Sequence, residues 1–461
     1  MKHGAQIQFG VILAAAAAIA LTVPAGLDRH QAHTLAIVLV TLGLWSTGLV
    51  PAFLGTLIFF TLLLIPGLAS PELVFSGFTA PAIWLVMSGF VLVAAIRITG
   101  LGTRLGNAAA PHLSRSYPGL IAGLVAMGAA LGFLMPSSVG RSMALVPIGM
   151  ALAEALGFER GSNGRTGVAL AVAFGCNIPS FAILPANLPN MVLSGAAAHL
   201  HGISIGYTDY LVLHYPVLGI LKSVAIVALI LRAYPARTGS PAAVAAPAPS
   251  DAGGGTRQQL WLLGLLFVTL ALWATDRFHG INPAWIGLAA AVILLLPRVG
   301  LVSPEAFRSA IDFGTLLLVA GVLGLGAVVS ASGLGERLAE LVTTVLPLAP
   351  GRDFANFLSL SALATLTALI STMPGVPAVL TPLAPDLAAA TGFSVEAVLM
   401  TQVIGFSTVI FPYQVAPLIV AMGLAGEPVR ALLRVTLALA LLTFVLLVPL
   451  DFIWWKLLGW I

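Results

Sequence analysis

Charge is what this sequence has least of. Only 8% of its 461 residues are Asp, Glu, Lys or Arg, about a third of the fraction that covers a soluble domain. That excludes a chain solvated on all sides. A single cysteine, Cys176, excludes an intrachain disulfide and a thiolate metal centre. There is no HExxH, no GxGxxG that opens a helix after a strand, no Walker loop and no nucleophile elbow on a strand-to-helix turn. The chain therefore offers no soluble-enzyme chemistry and no route to ATP hydrolysis. A net charge of +4 and a pI near 9.5 do not mark a nucleic-acid partner. The basic residues stand singly at the ends of apolar runs, which is a topological signal and not a patch.

What is abundant is apolar length. Hydrophobic residues make up 59% of the chain and the mean hydropathy is +1.06. Runs near or above the membrane-spanning threshold recur throughout. The bilayer core has no water to satisfy a backbone, and the ten-residue alternation of a transmembrane barrel is missing, so the expected class is an all-α membrane protein. Eleven spans are expected, near 7–24, 33–50, 51–67, 80–98, 166–200, 208–232, 258–275, 282–298, 311–331, 394–425 and 427–453. Two further stretches, 116–157 and 354–391, read as re-entrant helical hairpins. Their tips are Met135-Pro136-Ser137-Ser138-Val139-Gly140 and Thr372-Met373-Pro374-Gly375. The Ala/Pro/Gly/Ser-rich stretch 236–257 is the one linker. Val23-Pro24-Ala25 imitates a signal-peptide cleavage site, but the charges that follow keep a consistent topology with the first span retained.

With the N-terminus inside, thirteen basic residues fall on the cytoplasmic side and five on the other: Arg29, Arg277, Arg337, Arg352 and Lys456. Arg141 and Lys222 remain within the membrane region. This bias predicts an inner-membrane protein with a cytoplasmic N-terminus and an external C-terminus. The chain also repeats. Ser70-Pro71-Glu72 returns as Ser303-Pro304-Glu305, and Gly100-Leu101-Gly102-Thr103-Arg104-Leu105 as Gly333-Leu334-Gly335-Glu336-Arg337-Leu338, both at an offset of 233 residues. Each copy continues through a hairpin and a run broken at prolines, Pro185 to Pro189 and Pro412 to Pro417. On this topology the copies are inverted, the pattern of secondary transporters with a site at the membrane midplane.

Broken helices expose backbone groups that only protein or a water-filled cavity can cover, so the tips and breaks hold the candidate residues. Positive helix N-termini there face anions and freed carbonyls face cations. The substrate-binding candidates are Ser137, Ser138, Arg141, Asn187, Asn190, Thr372 and Gln414. Arg141 is either a charge that serves the site or a residue that snorkels to the interface or pairs with Glu154 on its own arm. Asn187 and Asn190 either contact ligand or satisfy the broken turn; the two roles are compatible. Tyr413, an interfacial residue type, ranks below Gln414. Glu154 and Asp386 sit at a membrane edge or in a proton path, and His214 with Lys222 shares one helical face, a pattern that core packing also produces.

Taken in order, Trp45-Ser46-Thr47 before Pro51, the stretch Phe75 to Gly106, the hairpin followed by Leu145-Val146-Pro147-Ile148, the Pro189-Asn190 break and the second-half repeat make the whole chain resemble the divalent anion/sodium symporter family of dicarboxylate, citrate and sulfate carriers. The resemblance implies a homodimeric elevator. Its scaffold would comprise 1–115, 208–235 and 258–340, its transport domain 116–207 and 341–426, with a cytoplasmic linker at 236–257 and a final span at 427–461. It also implies sodium as a candidate coupling ion, with proton coupling and exchange left open beside it, and Ser137, Ser138 and Ala186 as weak cation-binding candidates with no other cofactor. Where that family carries Ser-Asn-Thr at each tip, this chain has Ser137-Ser138-Val139 and Thr372-Met373-Pro374. A hard cation needs oxygen ligands, so transport is expected not to require sodium at both sites. Arg141, where relatives have a small residue, is expected to supply a permanent positive charge suited to a carboxylate or sulfur oxyanion.

The expected function is secondary transport of small, divalent anions in a lipid bilayer: dicarboxylate, citrate-like, sulfate or sulfonate. A sodium-independent exchanger or facilitated pathway in the same fold, and a non-transporting sensor, are the competing classes. The sensor lacks an output surface beyond the 236–257 linker.

Overall fold

A computed structural model describes residues 2–24, 26–105, 108, 116–237 and 255–461. The expected linker lies mostly outside these residues, as does Arg115. The described part is helical throughout, with no strand.

The first copy of the repeat, after an N-terminal helix α1 (Lys2–Thr22), comprises α2 (Arg29–Thr47), α3 (Ala52–Leu64), α4 (Pro81–Thr99), α5 (Tyr117–Leu134), α6 (Ser138–Ala155), α7 (Asn163–Asn177), α8 (Leu188–His201) and α9 (Tyr207–Ala233). The second comprises α10 (Thr256–Ala274), α11 (Pro283–Leu295), α12 (Phe313–Ala331), the amphipathic α13 (Leu334–Val345), α14 (Asp353–Ser371), α15 (Gly375–Thr391), α16 (Val395–Ser407), α17 (Ala416–Ala425) and α18 (Arg430–Leu457). The duplicated Ser-Pro-Glu motif has the same physical role in both copies. Ser70 Oγ accepts the Leu73 amide at 3.3 Å and Ser303 Oγ the Ala306 amide at 3.2 Å, each starting a short helix with proline at its first position.

Among the described residues, α4, α5, α9, α10, α12, α14 and α18 are long and apolar enough to cross a membrane, and α15 with α16 pass together as a pair bent by 116°. The expected spans 51–67 and 282–298 are helical over only 13 residues each. Pro66-Gly67 and Pro297-Arg298 stop them, with Gly67 at φ +69° and Arg298 at φ +72°.

α5 packs on α7, and α14 on α16, through a glycine seam. A Cβ on Gly128 of α5 would sit 2.5 Å from the Gly175 carbonyl carbon of α7, and one on Gly405 of α16 would sit 2.2 Å from Ala364 Cβ of α14. In lipid, such small-residue approaches supply the packing that the hydrophobic effect cannot. The two breaks meet at Phe181 and Phe406, ring centroids 5.9 Å apart.

The long spans that end the copies are also alike. Both contain a π-helical segment, Tyr215–Leu221 in α9 and Thr443–Leu447 in α18. Pro216 lacks an amide and its ring pushes away the carbonyl four residues back; that carbonyl, on Val212, accepts the Trp454 indole N–H at 2.9 Å. α9 packs against α5, α7 and α18. At one end of this assembly Arg165 bridges Glu154 (3.0 Å) and Glu427 (3.2 Å), so α6, α7 and the segment after α17 are tied together.

Candidate functional site

Met135 ends α5 in an extended conformation and Ser137 restarts the chain as the N-cap of α6, its Oγ accepting the Gly140 amide at 3.1 Å. The amides of Ser138 and Val139, in the first turn of α6, have no partner within the helix. One turn further on, Arg141 is fully buried, 0% exposed. Its Nε donates to the Cys176 carbonyl (2.8 Å), Nη2 to Ser138 Oγ (2.8 Å), and Nη1 to the carbonyls of Ala186 (3.2 Å) and Met135. The guanidinium thus gathers carbonyls freed at the first tip and at both ends of the first break. It neither snorkels nor pairs with Glu154, which is exposed and bonded to Arg165. Among the described residues no carboxylate lies within 4.0 Å of Arg141.

From Arg141 the polar network runs outward. Ser138 Oγ donates to Asn187 Oδ1 (2.9 Å), and Asn187 Nδ2 donates to Ser180 Oγ (2.8 Å). Asn190 Nδ2 bonds the carbonyls of Ser180 (3.1 Å) and Ile183 (2.8 Å), while its Oδ1 and that of Asn177 are buried without a donor. These contacts satisfy the broken turn. They also fix Asn187, at the start of α8, on a cavity wall.

That cavity, about 700 Å³, is lined by the first tip with Ser137 and Ser138, by Ala186, Asn187 and Leu188 at the start of α8, and by Ala416 and Pro417 at the start of α17. Three helix N-termini therefore converge on it, those of α6, α8 and α17, with the Arg141 charge directly behind. The opposite wall is α4, through Gly89, Phe90, Val93 and Arg97, and the cavity continues to Thr103, Asp312 and Thr315.

Four of the seven expected residues do not line this cavity: Arg141 and Asn190 are buried in the network behind it, and two lie elsewhere. Thr372, at φ +65° on the second tip, and Gln414 do not line this cavity. Gln414 caps its own break, its Oε1 accepting the Ile410 (2.9 Å) and Phe411 (2.8 Å) amides, and its Nε2 is buried without an acceptor. Tyr413 is half-exposed, its hydroxyl donating to the Leu369 carbonyl of α14 at 2.9 Å. Asp386 is half-buried on α15. His214 and Lys222 are both buried on α9, and Lys222 Nζ donates to the Ser407 carbonyl at the second break (2.8 Å). Sequence reasoning missed the α4 wall and Asp312. The latter announces itself only as the N-cap of α12, accepting the Thr315 amide at 3.1 Å. Among the described residues no group of three or more His, Cys, Asp or Glu side chains forms a metal cluster.

The chain matches the family described as the sodium:sulfate symporter transmembrane region over residues 5–461. Chloroplastic dicarboxylate transporter 2.2 of Arabidopsis thaliana is 27% identical over 408 residues, 84% of this chain and 72% of that one. A sodium-dependent dicarboxylate transporter of Staphylococcus aureus is 23% identical over 360 residues, 71% of this chain and 68% of that one. A protein of Cupriavidus necator named only as a membrane protein is 26% identical over 395 residues, 84% of this chain and 77% of that one. The crystal structure of the Alcanivorax borkumensis YdaH transporter shares the fold at a TM-score of 0.58 and 20% identity, covering 85% of this chain and 88% of that one. Seven apolar helices of spanning length among the described residues and a family match along nearly the whole chain lead to one conclusion: this protein belongs to the sodium:sulfate symporter transmembrane family, and it is a multi-pass membrane transporter, not an enzyme.

Proposed function

We propose that the protein is a secondary active transporter of small divalent anions, with dicarboxylate, citrate-like, sulfate and sulfonate ions as the substrate class. The observation that carries this is the convergence of three helix N-termini on one cavity backed by a buried arginine that has no carboxylate partner. Each N-terminus carries a partial positive charge, and α6 adds the unpaired amides of Ser138 and Val139, while Pro189 and Pro417 leave α8 and α17 fewer donors. The guanidinium adds a full charge in a low-dielectric setting. The dicarboxylate-transporting relatives support the same class.

An elevator mechanism fits the packing. In this reading α1–α4 and α10–α13 form the scaffold, the pairs α5–α6 and α14–α15 are re-entrant hairpins, and the two broken helices move with them. Because α9 packs on α5, α7 and α18, we draw both α9 and α18 into the moving body, which shifts the boundary from the one expected at 208–235. The sliding face is α8 against α4 and α12, where Gly195 lets Ala82 approach closely. The cavity runs toward Arg97, Thr103 and Asp312, the side that the charge bias assigns to the cytoplasm, so this conformation is inward-facing. The family resemblance extends the proposal to an inner-membrane homodimer.

Sodium does not fit the first site. The carbonyls of Cys176, Ala186 and Met135, and Ser138 Oγ, already surround Arg141. At the second tip Met373 and Pro374 offer no side-chain oxygen. The favoured form of the function is therefore sodium-independent at these positions, with the guanidinium standing where relatives place a cation. The test is uptake of labelled succinate, citrate, sulfate and an alkyl sulfonate into proteoliposomes, with sodium and pH varied. Saturable uptake of at least one dianion, persisting in choline medium, is expected. Failure of all four to move, with protein shown to be inserted and folded, would sink the reading.

A further inference from the structure

A second buried charge site lies behind the second break, away from the anion cavity. Lys222 begins the α-helical part of α9 immediately after the π-segment Tyr215–Leu221, and Asp451 lies one turn past the π-segment Thr443–Leu447 of α18. The residues thus occupy near-equivalent places in the two copies. Lys222 is 1% exposed and its Nζ donates to the carbonyl (2.8 Å) and Oγ (3.3 Å) of Ser407, where α16 ends at the break. Asp451 is 0% exposed and neither carboxylate oxygen has a hydrogen-bond partner. The two are each other's charged neighbours, yet no ion pair closes within 4.0 Å.

The other groups around them are accounted for. α9 also brings Tyr210, whose hydroxyl donates to the Phe181 carbonyl (2.8 Å), and His214, whose ring nitrogens are both unpartnered. α18 brings Trp455, in edge contact with His214 and with Phe357 of α14, its buried indole N–H facing Asp451 as a neutral donor there without closing a hydrogen bond. Asp353 of α14 is held by Lys456 at 2.7 Å. Tyr117 of α5, Arg165 and Cys176 of α7, and Arg434 of α18 bond elsewhere or not at all to this pair.

We propose that the Asp451 carboxylate, set against Lys222 behind the second break, is the binding site for a coupling proton. An ionised carboxylate sealed from water with no closed hydrogen bond is costly, and a proton removes that cost. An alkali ion is the poorer occupant, because an ammonium shares the enclosure and already holds the Ser407 carbonyl. Charge balance gives the site its purpose, and this step rests on the anion-carrier reading above. Among the described residues, the buried charges of the moving body outside the Arg165–Glu427 pair are Arg141, Lys222 and Asp451. Their sum is +1 when the carrier is empty and −1 with a dianion bound. It reaches zero with a dianion bound and Asp451 protonated. A body that crosses a low-dielectric layer moves most cheaply when neutral, so the loaded carrier should cross with one proton aboard. The proton adds to an Asp451 oxygen on one side and leaves it on the other, with no other bond made or broken.

The experiment uses purified full-length protein in proteoliposomes that contain a trapped pH dye and are given labelled succinate outside. In the parent, succinate entry is expected to acidify the lumen, and entry should quicken as the external medium is made more acid. Asp451→Asn should lose the acidification and the pH dependence relative to the parent over the same range, which cancels the titration of succinate itself. It should keep measurable exchange of labelled for unlabelled succinate, which an unfolded carrier cannot perform, and Asp451→Glu should recover the acidification. Succinate entry by the parent without acidification would overturn the proposal and leave an electrogenic carrier or exchanger. An independent readout needs no transport: an infrared difference spectrum between acid and alkaline buffer should show a protonated-carboxyl band in the parent that Asp451→Asn lacks. An identical band in both proteins would overturn the proton site even if no anion is ever carried, whereas loss of uptake with the band intact points to a wrong substrate class.

Discussion

Arg141 joins the first tip to both ends of the first break, through Met135 and Ser138 on one side and the Cys176 and Ala186 carbonyls on the other. Burying a guanidinium without a counter-carboxylate is tolerable because Nε, Nη1 and Nη2 all find carbonyl or hydroxyl oxygens. Lysine at this position keeps the charge but has no planar fork to span the Cys176 and Ala186 carbonyls. Arg141→Lys should therefore weaken anion binding by about 1–3 kcal/mol, measured by calorimetry against the parent. Arg141→Ala leaves several carbonyls facing one another with no donor. That variant should melt at lower temperature, lose anion binding, and gain thermal stability on addition of sodium chloride but not choline chloride, because the vacated carbonyl cage now suits a cation. Parent-like anion affinity in the alanine variant would mean that the charge does not reach the cavity. His214, Lys222 and Ser407 teach a related lesson. A shared helical face was visible in the sequence, but the Lys222 partner is 185 residues away, and no local pattern announces a bond of that range.

At the level of elements, the glycine seams hold α5 to α7 and α14 to α16. A Cβ on Gly128 or Gly405 meets backbone or Cβ atoms closer than 3.0 Å, which a side-chain rotation cannot relieve. Gly128→Ala and Gly405→Ala should each destabilise by about 1–3 kcal/mol, seen as a lower melting temperature in detergent. Gly264 of α10 meets nothing within 4 Å, and Gly264→Ala should be neutral or stabilising, by up to about 1 kcal/mol, since alanine is the better helix former. Equal effects at all three positions would mean that helix propensity and not packing governs them. Elements were also where punctuation was most readable. Proline and glycine mark both tips and both breaks, and Pro66-Gly67 and Pro297 shorten α3 and α11. The hydropathy of those runs extends beyond their helices because apolar residues continue through the stop, which is why each was expected to be longer.

For the whole molecule, the inward-facing reading makes a directional statement. Cys176 is the only cysteine and is buried, so Cys176→Ala gives a background free of native thiols. Cysteines placed one at a time at Val93 and Thr103, both on the cavity wall, should react with a membrane-impermeant thiol reagent from the cytoplasmic face of oriented vesicles. Succinate or sulfate should slow the reaction at Val93. Labelling from the opposite face alone would reverse the assigned orientation.

Composition and periodicity by themselves determined that this chain is helical, lies in a membrane, is duplicated and is interrupted at four places. Each of these follows from local physics: backbone bonds that lipid cannot satisfy, and residues that cannot continue a helix. They also brought Ser137, Ser138 and Asn187 forward, since polar side chains at a helix break are few in so apolar a chain. Only the tertiary structure decided that these three share one cavity while Thr372 and Gln414 do not. It alone set Arg141 behind that cavity on the Cys176 and Ala186 carbonyls, 35 and 45 residues away, and Lys222 beside Asp451 at the opposite break. Freed carbonyls can be counted along a chain. Which buried cation they receive depends on how helices distant in sequence pack in space.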